Sequence, residues 1–296
     1  MSKLQIPTFH LAERLNTEQI NFFKKHGIIQ FKNFIDKETV HLFLNEIDHV
    51  QNFLLQNQIK KVNGIPLKFG KDIDGSPLIQ RIAFTSLYSK TLSDFLKNDR
   101  LQNLLELLGK FEGRIGEQEI DGLVFNQYVN DNKSGFKQLG WHTDSPRDLF
   151  LGSRILPMLN IGLHLDDCSF NNGGLRVIPG THKQGLFKLL FRKKYYIDHQ
   201  KDKREVGFDI QAGDLTIHDG RLWHRVQQSN LQGEKSRRRV MYIPVVTGPY
   251  HPKHAASPTP FYHKLGQMKF KGTRIGLKLA LLKNQLKNNY WGRDIQ

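Results

Sequence analysis

From Leu123 to Val246 the chain repeats one pattern. Short apolar runs with period-two alternation are separated by turns rich in Gly, Pro and Asn. The runs are Leu123–Val129, Leu159–Leu165, Leu175–Ile178, Leu215–His218 and Val240–Val246. Asn171–Gly174 and Pro179–Gly180 are among the breaks. Many short strands divided in this way predict an antiparallel sandwich or barrel. Before Leu123 the period is mostly helical. Thr17 is the expected N-cap of a first helix, without a full capping box because Ile20 stands three residues later. Gly27 should end that helix, and Ile28–Phe31 reads as a strand. Asp36 should cap a second helix with Val40, Phe43, Leu44, Ile47 and Val50 on one side. Leu92–Leu108 is a third helical region. The expected fold class is therefore mainly β with flanking helices (α+β), the helices lying on an outer face of the sheet.

Two segments within the strand series carry chemistry: Trp141-His142-Thr143-Asp144 and Leu222-Trp223-His224-Arg225. His142 and Asp144 are two apart, so an extended strand would direct both to one side. His224 from a distant strand would complete two imidazoles and one carboxylate. That set can occupy one face of an octahedral Fe(II) and leave the remaining positions to small ligands. Arg237-Arg238-Arg239 follow, and an arginine there could grip the carboxylate of a 2-oxo acid bidentately. These residues together predict a non-haem iron oxygenase. The rival reading is a chance His-x-Asp spacing in a chain with 13 histidines.

With 296 residues, 38% hydrophobic and 20 Phe, the chain can bury a sizeable core. Cys168 is its only cysteine, which excludes an intrachain disulfide and suits a reducing, cytoplasmic setting. The first residues lack a signal-peptide pattern, and no apolar run is long enough for a membrane span. The net charge of +16 is uneven: Lys235 to Arg293 holds 13 Lys and Arg and no Asp or Glu. Such a field favours an anionic small-molecule substrate. Leu186 to Glu205 is basic and aromatic and reads as a lid. Residues 274–291 form a basic amphipathic pattern that either packs on the domain or makes peripheral membrane contact. No nucleic acid partner is expected, since the chain lacks a recognised RNA- or DNA-binding module. The composition leaves the oligomeric state open.

The order of His142-x-Asp144, Leu165-Asp166-Asp167, Gly173 to His182, Gly213-Asp214-Leu215 and His224 closely resembles the phytanoyl-CoA dioxygenase (PhyH) family. The resemblance covers roughly residues 17 to 246. It implies a double-stranded β-helix (a cupin-like jelly roll) of about 120–248, within one oxygenase domain spanning 1–296. N-terminal helices, a lid at 186–206 and a basic extension at 250–296 ending in a helix would surround it. It also implies Fe(II) on His142, Asp144 and His224, with 2-oxoglutarate and O2 as cosubstrates. Arg238 best matches the cosubstrate anchor, with Arg237 and Arg239 as alternatives because the loop before them is long. Asn160, and less strongly Gln127, match cosubstrate contacts. Val226 stands where family members often carry a hydroxyl. With Asp144 present, where related halogenases have Gly or Ala, hydroxylation of an unactivated C–H bond is the expected outcome, with succinate and CO2 released. The alternative function is a non-catalytic jelly roll that binds anionic lipid or nucleic acid through its basic C-terminal region.

Overall fold

The computed structural model describes residues 6–132, 137–146, 155–260 and His263. The predicted helix at 274–291 lies outside the described residues, as does most of the basic C-terminal extension.

Helix α1 (Thr17–His26) is capped one residue earlier than expected. The Asn16 side chain accepts from the Gln19 N–H at 2.9 Å, and the Gln19 side chain accepts from the Asn16 N–H at 3.0 Å. The capping box expected to be missing is therefore present, with Asn16 rather than Thr17 as the cap. Gly27 ends the helix at φ 74°, and its N–H donates to Phe23 O. Helix α2 (Lys37–Gln56) starts at Asp36 as predicted, and Val40, Phe43, Ile47 and Val50 are buried. The third helical region is broken into α3 (Lys90–Leu96), α4 (Asp99–Asn103) and a 3-10 turn at Leu104–Leu108. The break falls at Asn98, whose side chain accepts from Arg100 N–H and starts a new helix.

The strands are β1 (Ile28–Phe31), β2 (Lys61–Val62), β3 (Ile65–Pro66), β4 (Lys68–Lys71), β5 (Pro77–Ile82), β6 (Gly113–Ile115) and β7 (Val124–Tyr128). They continue as β8 (Leu139–His142), β9 (Met158–His164), β10 (Gly174–Val177), β11 (Val206–Gly207), β12 (Leu215–Asp219), β13 (His224–Gln227) and β14 (Arg238–Thr247). A large antiparallel sheet runs β1-β12-β9-β14-β7-β5-β4, with β6 added on β14. A smaller sheet runs β11-β10-β13-β8. The chain alternates between the two sheets, as a jelly roll does. A short helix, α5 (Leu186–Phe191), opens the segment between β10 and β11.

Alternation along β14 divides the interior into two layers. Met241, Ile243 and Val245 join the main apolar core with Phe43, Ile47 and Val50 of α2 and with Ile79, Phe125 and Ile161 of the sheet. Each such fully buried side chain contributes roughly 1.5–3 kcal/mol. Arg238, Val240 and Tyr242 take the opposite phase and border a cavity with residues of β10 and β13. The apolar core thus lies between helices and sheet, which frees the interior of the sandwich for polar groups.

Candidate metal and cosubstrate site

His142 closes β8 and His224 opens β13, and the two are direct partners across the ladder. Their ring centroids are 4.1 Å apart. Asp144 lies beyond the end of β8, in a turn rather than on the strand, so the period-two expectation fails there. The turn is pinned from the β12–β13 connection, where Gly220 O accepts from the Asp144 N–H at 2.8 Å and the Ser145 N–H at 3.0 Å. Asp144 Oδ2 ends 3.9 Å from His224 Nε2. One ligand atom from each of His142, Asp144 and His224 falls within 4.8 Å of the others, so the three residues predicted as a set do converge.

The imidazole hydrogen bonds suit a cation. Nδ1 of His142 lies 2.8 Å from Gly140 O, and Nδ1 of His224 lies 3.0 Å from Leu222 O. A carbonyl only accepts, so each Nδ1 carries the proton and each Nε2 keeps its lone pair. Burial lowers the pKa of both imidazoles, and for His224 the neighbouring His142 and His218 lower it further. Burial alone would raise the Asp144 carboxyl, but His224, His218 and His142 around it hold it well below the usual carboxylate range. Two neutral imidazoles and one carboxylate fit a divalent iron.

The three consecutive arginines separate cleanly. Arg237 pairs with Asp72 at 2.6 Å and Glu234 at 2.7 Å. Arg239 forms a fork with Asp166 at 2.6 and 2.9 Å. Arg238 is 4% exposed, donates to the Gln227 and Lys137 carbonyls at 2.7 and 3.2 Å, and lies against the Cys168 thiol. Its Nε is buried without a partner, and the described residues give it no carboxylate. Beside it, Tyr128, Cys168 and Tyr242 border a cavity of about 20 Å³.

Asn160 is in the site, but its amide donates to Asp144 Oδ2 at 3.1 Å. Gln127 is not in the site. Its amide donates to Ile79 O at 2.9 Å and to Gln51 of α2 at 3.1 Å, on the helix-facing side of β7. The interior side of β7 carries Asn126 and Tyr128 instead, one residue out of phase with the prediction. Val226 is buried against Tyr128, with no hydroxyl at that position. Arg221 is bound to Asp219 in its own turn, and Trp223 is buried with Trp141 and Ile178.

Sequence reasoning missed several neighbours. Tyr195 Oη lies 2.7 Å from Thr143 Oγ1, and the half-exposed Tyr196 ring stacks on His142 at 4.9 Å. Tyr196 also lines an open cleft of about 390 Å³ with Lys137, Gly140, His199 and Gln228. His218, on the strand next to Asn160, reaches Asp144 Oδ2 at 3.3 Å. Tyr242 shares the phase of Arg238, as alternation along the strand predicts, whereas Tyr128 is found only through its cross-strand pairing with Arg238.

The sequence model of the phytanoyl-CoA dioxygenase (PhyH) family matches residues 23–238. A phytanoyl-CoA dioxygenase domain-containing protein 1 homolog from Dictyostelium discoideum is 22% identical over 249 residues, covering 71% of this chain and 85% of its own. Among solved structures, the carbocyclase SnoK of nogalamycin biosynthesis has a TM-score of 0.57 at 15% identity, covering 88% of this chain and 95% of its own. The epimerase SnoN of the same biosynthesis has a TM-score of 0.56 at 16% identity, covering 86% and 90%. EvdO2 from Micromonospora carbonacea var. aurantiaca, complexed with 2-oxoglutarate, has a TM-score of 0.53 at 15% identity, covering 85% and 98%. These structures share the fold. The family match spans most of the chain and contains both triad segments, so the chain belongs to the phytanoyl-CoA dioxygenase family of iron- and 2-oxoglutarate-dependent oxygenases.

Proposed function

We propose that this oxygenase hydroxylates an unactivated C–H bond of a small, anionic molecule, with His142, Asp144 and His224 holding Fe(II) and Arg238 holding the distal carboxylate of 2-oxoglutarate. The observation that carries the reading is the pair of free Nε2 lone pairs beside an ionised carboxylate. Bound there, the iron would supply O2 activation coupled to conversion of 2-oxoglutarate to succinate and CO2. The protein's part is to fix two imidazoles by their carbonyl bonds and to keep a carboxylate charged. An inward guanidinium with no carboxylate partner among the described residues would anchor the cosubstrate. SnoN is an epimerase and SnoK a carbocyclase, so this fold carries outcomes besides hydroxylation.

The reading of one domain with a lid at 186–206 is supported by the contacts of Tyr195 and Tyr196 with the site. Exposed Lys188 and Lys194 on that segment support an anionic substrate, whereas Lys193 is engaged by Asp198 and Asp202. Among the described residues no helix is long and apolar enough to cross a membrane. We place the protein in the cytoplasm on its single buried cysteine. The basic amphipathic pattern of 274–291 supports peripheral contact with an anionic membrane surface.

The test is Fe(II)-dependent succinate formation from 2-oxoglutarate in air, for wild type and His224→Ala, with anaerobic binding of Fe(II) and 2-oxoglutarate by the same samples. Turnover and binding that vanish in the variant support the reading. Failure of the wild type to bind either ligand would favour the non-catalytic, anion-binding alternative. Once a substrate is found, Lys188→Ser with Lys194→Ser should raise its KM, and an unchanged KM would remove the anionic-substrate reading.

A further inference from the structure

Three buried imidazoles cluster around Asp144, and their hydrogen bonds assign them two different roles. His142 and His224 give the Nδ1 proton to backbone carbonyls and present Nε2. His218 does the reverse. Its Nε2 lies 3.3 Å from Asp144 Oδ2. An ionised carboxylate only accepts, so the His218 proton is on Nε2 and that nitrogen has no lone pair for a cation. Its Nδ1 is buried without a partner, which leaves the Asp144 contact as its one hydrogen bond among the described residues. The ring is 1% exposed and sits 4.3 Å, centroid to centroid, from His224.

Asp144 Oδ2 accepts from a second donor, the Asn160 amide at 3.1 Å. His218 and Asn160 are direct cross-strand partners on β12 and β9. One rung of the large sheet therefore supplies both donors to a carboxylate carried by the smaller sheet's loop. Both donors converge on Oδ2, the oxygen that also lies 3.9 Å from His224 Nε2.

We propose that His218 and Asn160 form a two-donor clamp that locks the Asp144 carboxylate in the orientation that faces the metal-binding nitrogens of His142 and His224. His218 is then a positioning residue and not a ligand, and Asn160 holds the metal's carboxylate rather than the cosubstrate. The inference rests on the proposed iron site.

The experiment compares His218→Gln with His218→Asn in the full chain. A Gln amide can present an N–H where Nε2 stands, whereas an Asn amide stops near Nδ1 and cannot reach Asp144. Fe(II) affinity is read by anaerobic titration, and the visible absorption of the Fe(II)–2-oxoglutarate complex reports the coordination. Thermal melting checks the fold. Loss of a hydrogen-bond partner behind a metal ligand weakens affinity about 10- to 100-fold. The expected result is a loss of that size with an altered absorption for His218→Asn, and near wild-type behaviour for His218→Gln. Wild-type Fe(II) affinity in His218→Asn overturns the clamp, as does an equal loss in both variants when both melt like wild type. A wild type that binds no Fe(II) would instead overturn the iron site itself, and the clamp with it.

Discussion

Arg238 and Tyr128 stand opposite each other across the β14–β7 ladder, with the guanidinium carbon 5.6 Å from the ring centroid. Alternation along β14 turns one of three adjacent arginines inward, while Asp72, Glu234 and Asp166 take the other two. A charge-assisted pair with the 2-oxoglutarate carboxylate would be worth about 1.5–3 kcal/mol. Arg238→Gln should therefore raise the cosubstrate Kd by roughly 10- to 150-fold. Arg238→Lys should recover only part of this, because an ammonium cannot form the fork. Arg237→Gln and Arg239→Gln should bind 2-oxoglutarate like wild type. A Kd unchanged in Arg238→Gln but raised in either neighbour would move the anchor.

Gln127 supplies the complementary control. Its side chain is 4% exposed and bonds Gln51 of α2 and Ile79 O, away from the site. Gln127→Leu should leave Fe(II) and 2-oxoglutarate binding intact and lower stability by about 1–3 kcal/mol, through acceptors stranded at the helix–sheet boundary. Denaturant unfolding and ligand titration on one sample separate the two effects. Weakened cosubstrate binding with unchanged stability would restore the original sequence assignment.

These two positions show where sequence legibility stops. Alternation revealed β7, β9, β10, β12 and β14, because each has apolar positions at period two and the register follows from the core. The phase of polar residues was harder to read. Gln127 and Tyr128 differ by one residue and face opposite sides, and nothing local favours either. Arg238 already matched best in sequence, but Arg237 and Arg239 stayed open as alternatives until Asp72, Glu234 and Asp166 were seen to engage them. The β4–β5 hairpin went unread because β4 is largely exposed and carries no apolar stripe. The His-x-Asp pair was found by spacing, yet a turn held by Gly220, not a continuous strand, makes the spacing work.

Arg225 and Glu205 form a buried ion pair at 3.0 Å, with side chains 5% and 4% exposed. Arg225 also donates to His199 O and lies over Trp141, so the pair fastens the end of the 186–205 segment beside His224. Removing one partner strands the other charge. Glu205→Leu should lower stability by roughly 3–5 kcal/mol, and Glu205→Leu with Arg225→Met should recover most of it. Thermal or urea unfolding of both variants checks this. If the double variant is no more stable than the single one, the loss is one of shape rather than of unpaired charge.

Acid should destabilise the fold through His164. Burial lowers its pKa from 6.5 to about 4, and its Nε2 lies 3.0 Å from Thr216 Oγ1 in the interior. Between those two values the unfolded chain takes up a proton that the folded chain refuses, so stability falls as pH falls through that window. His164 alone accounts for about 3 kcal/mol across it, at about 1.4 kcal/mol for each pH unit. His182, distant from the metal ligands in sequence, has its pKa lowered by burial and acts in the same direction. Urea midpoints measured from pH 7 to pH 4 should decline steeply for wild type and less steeply for His164→Gln, which cannot take up that proton. Parallel declines would mean that His164 is protonated in the folded protein, and the acid sensitivity would then belong to other groups.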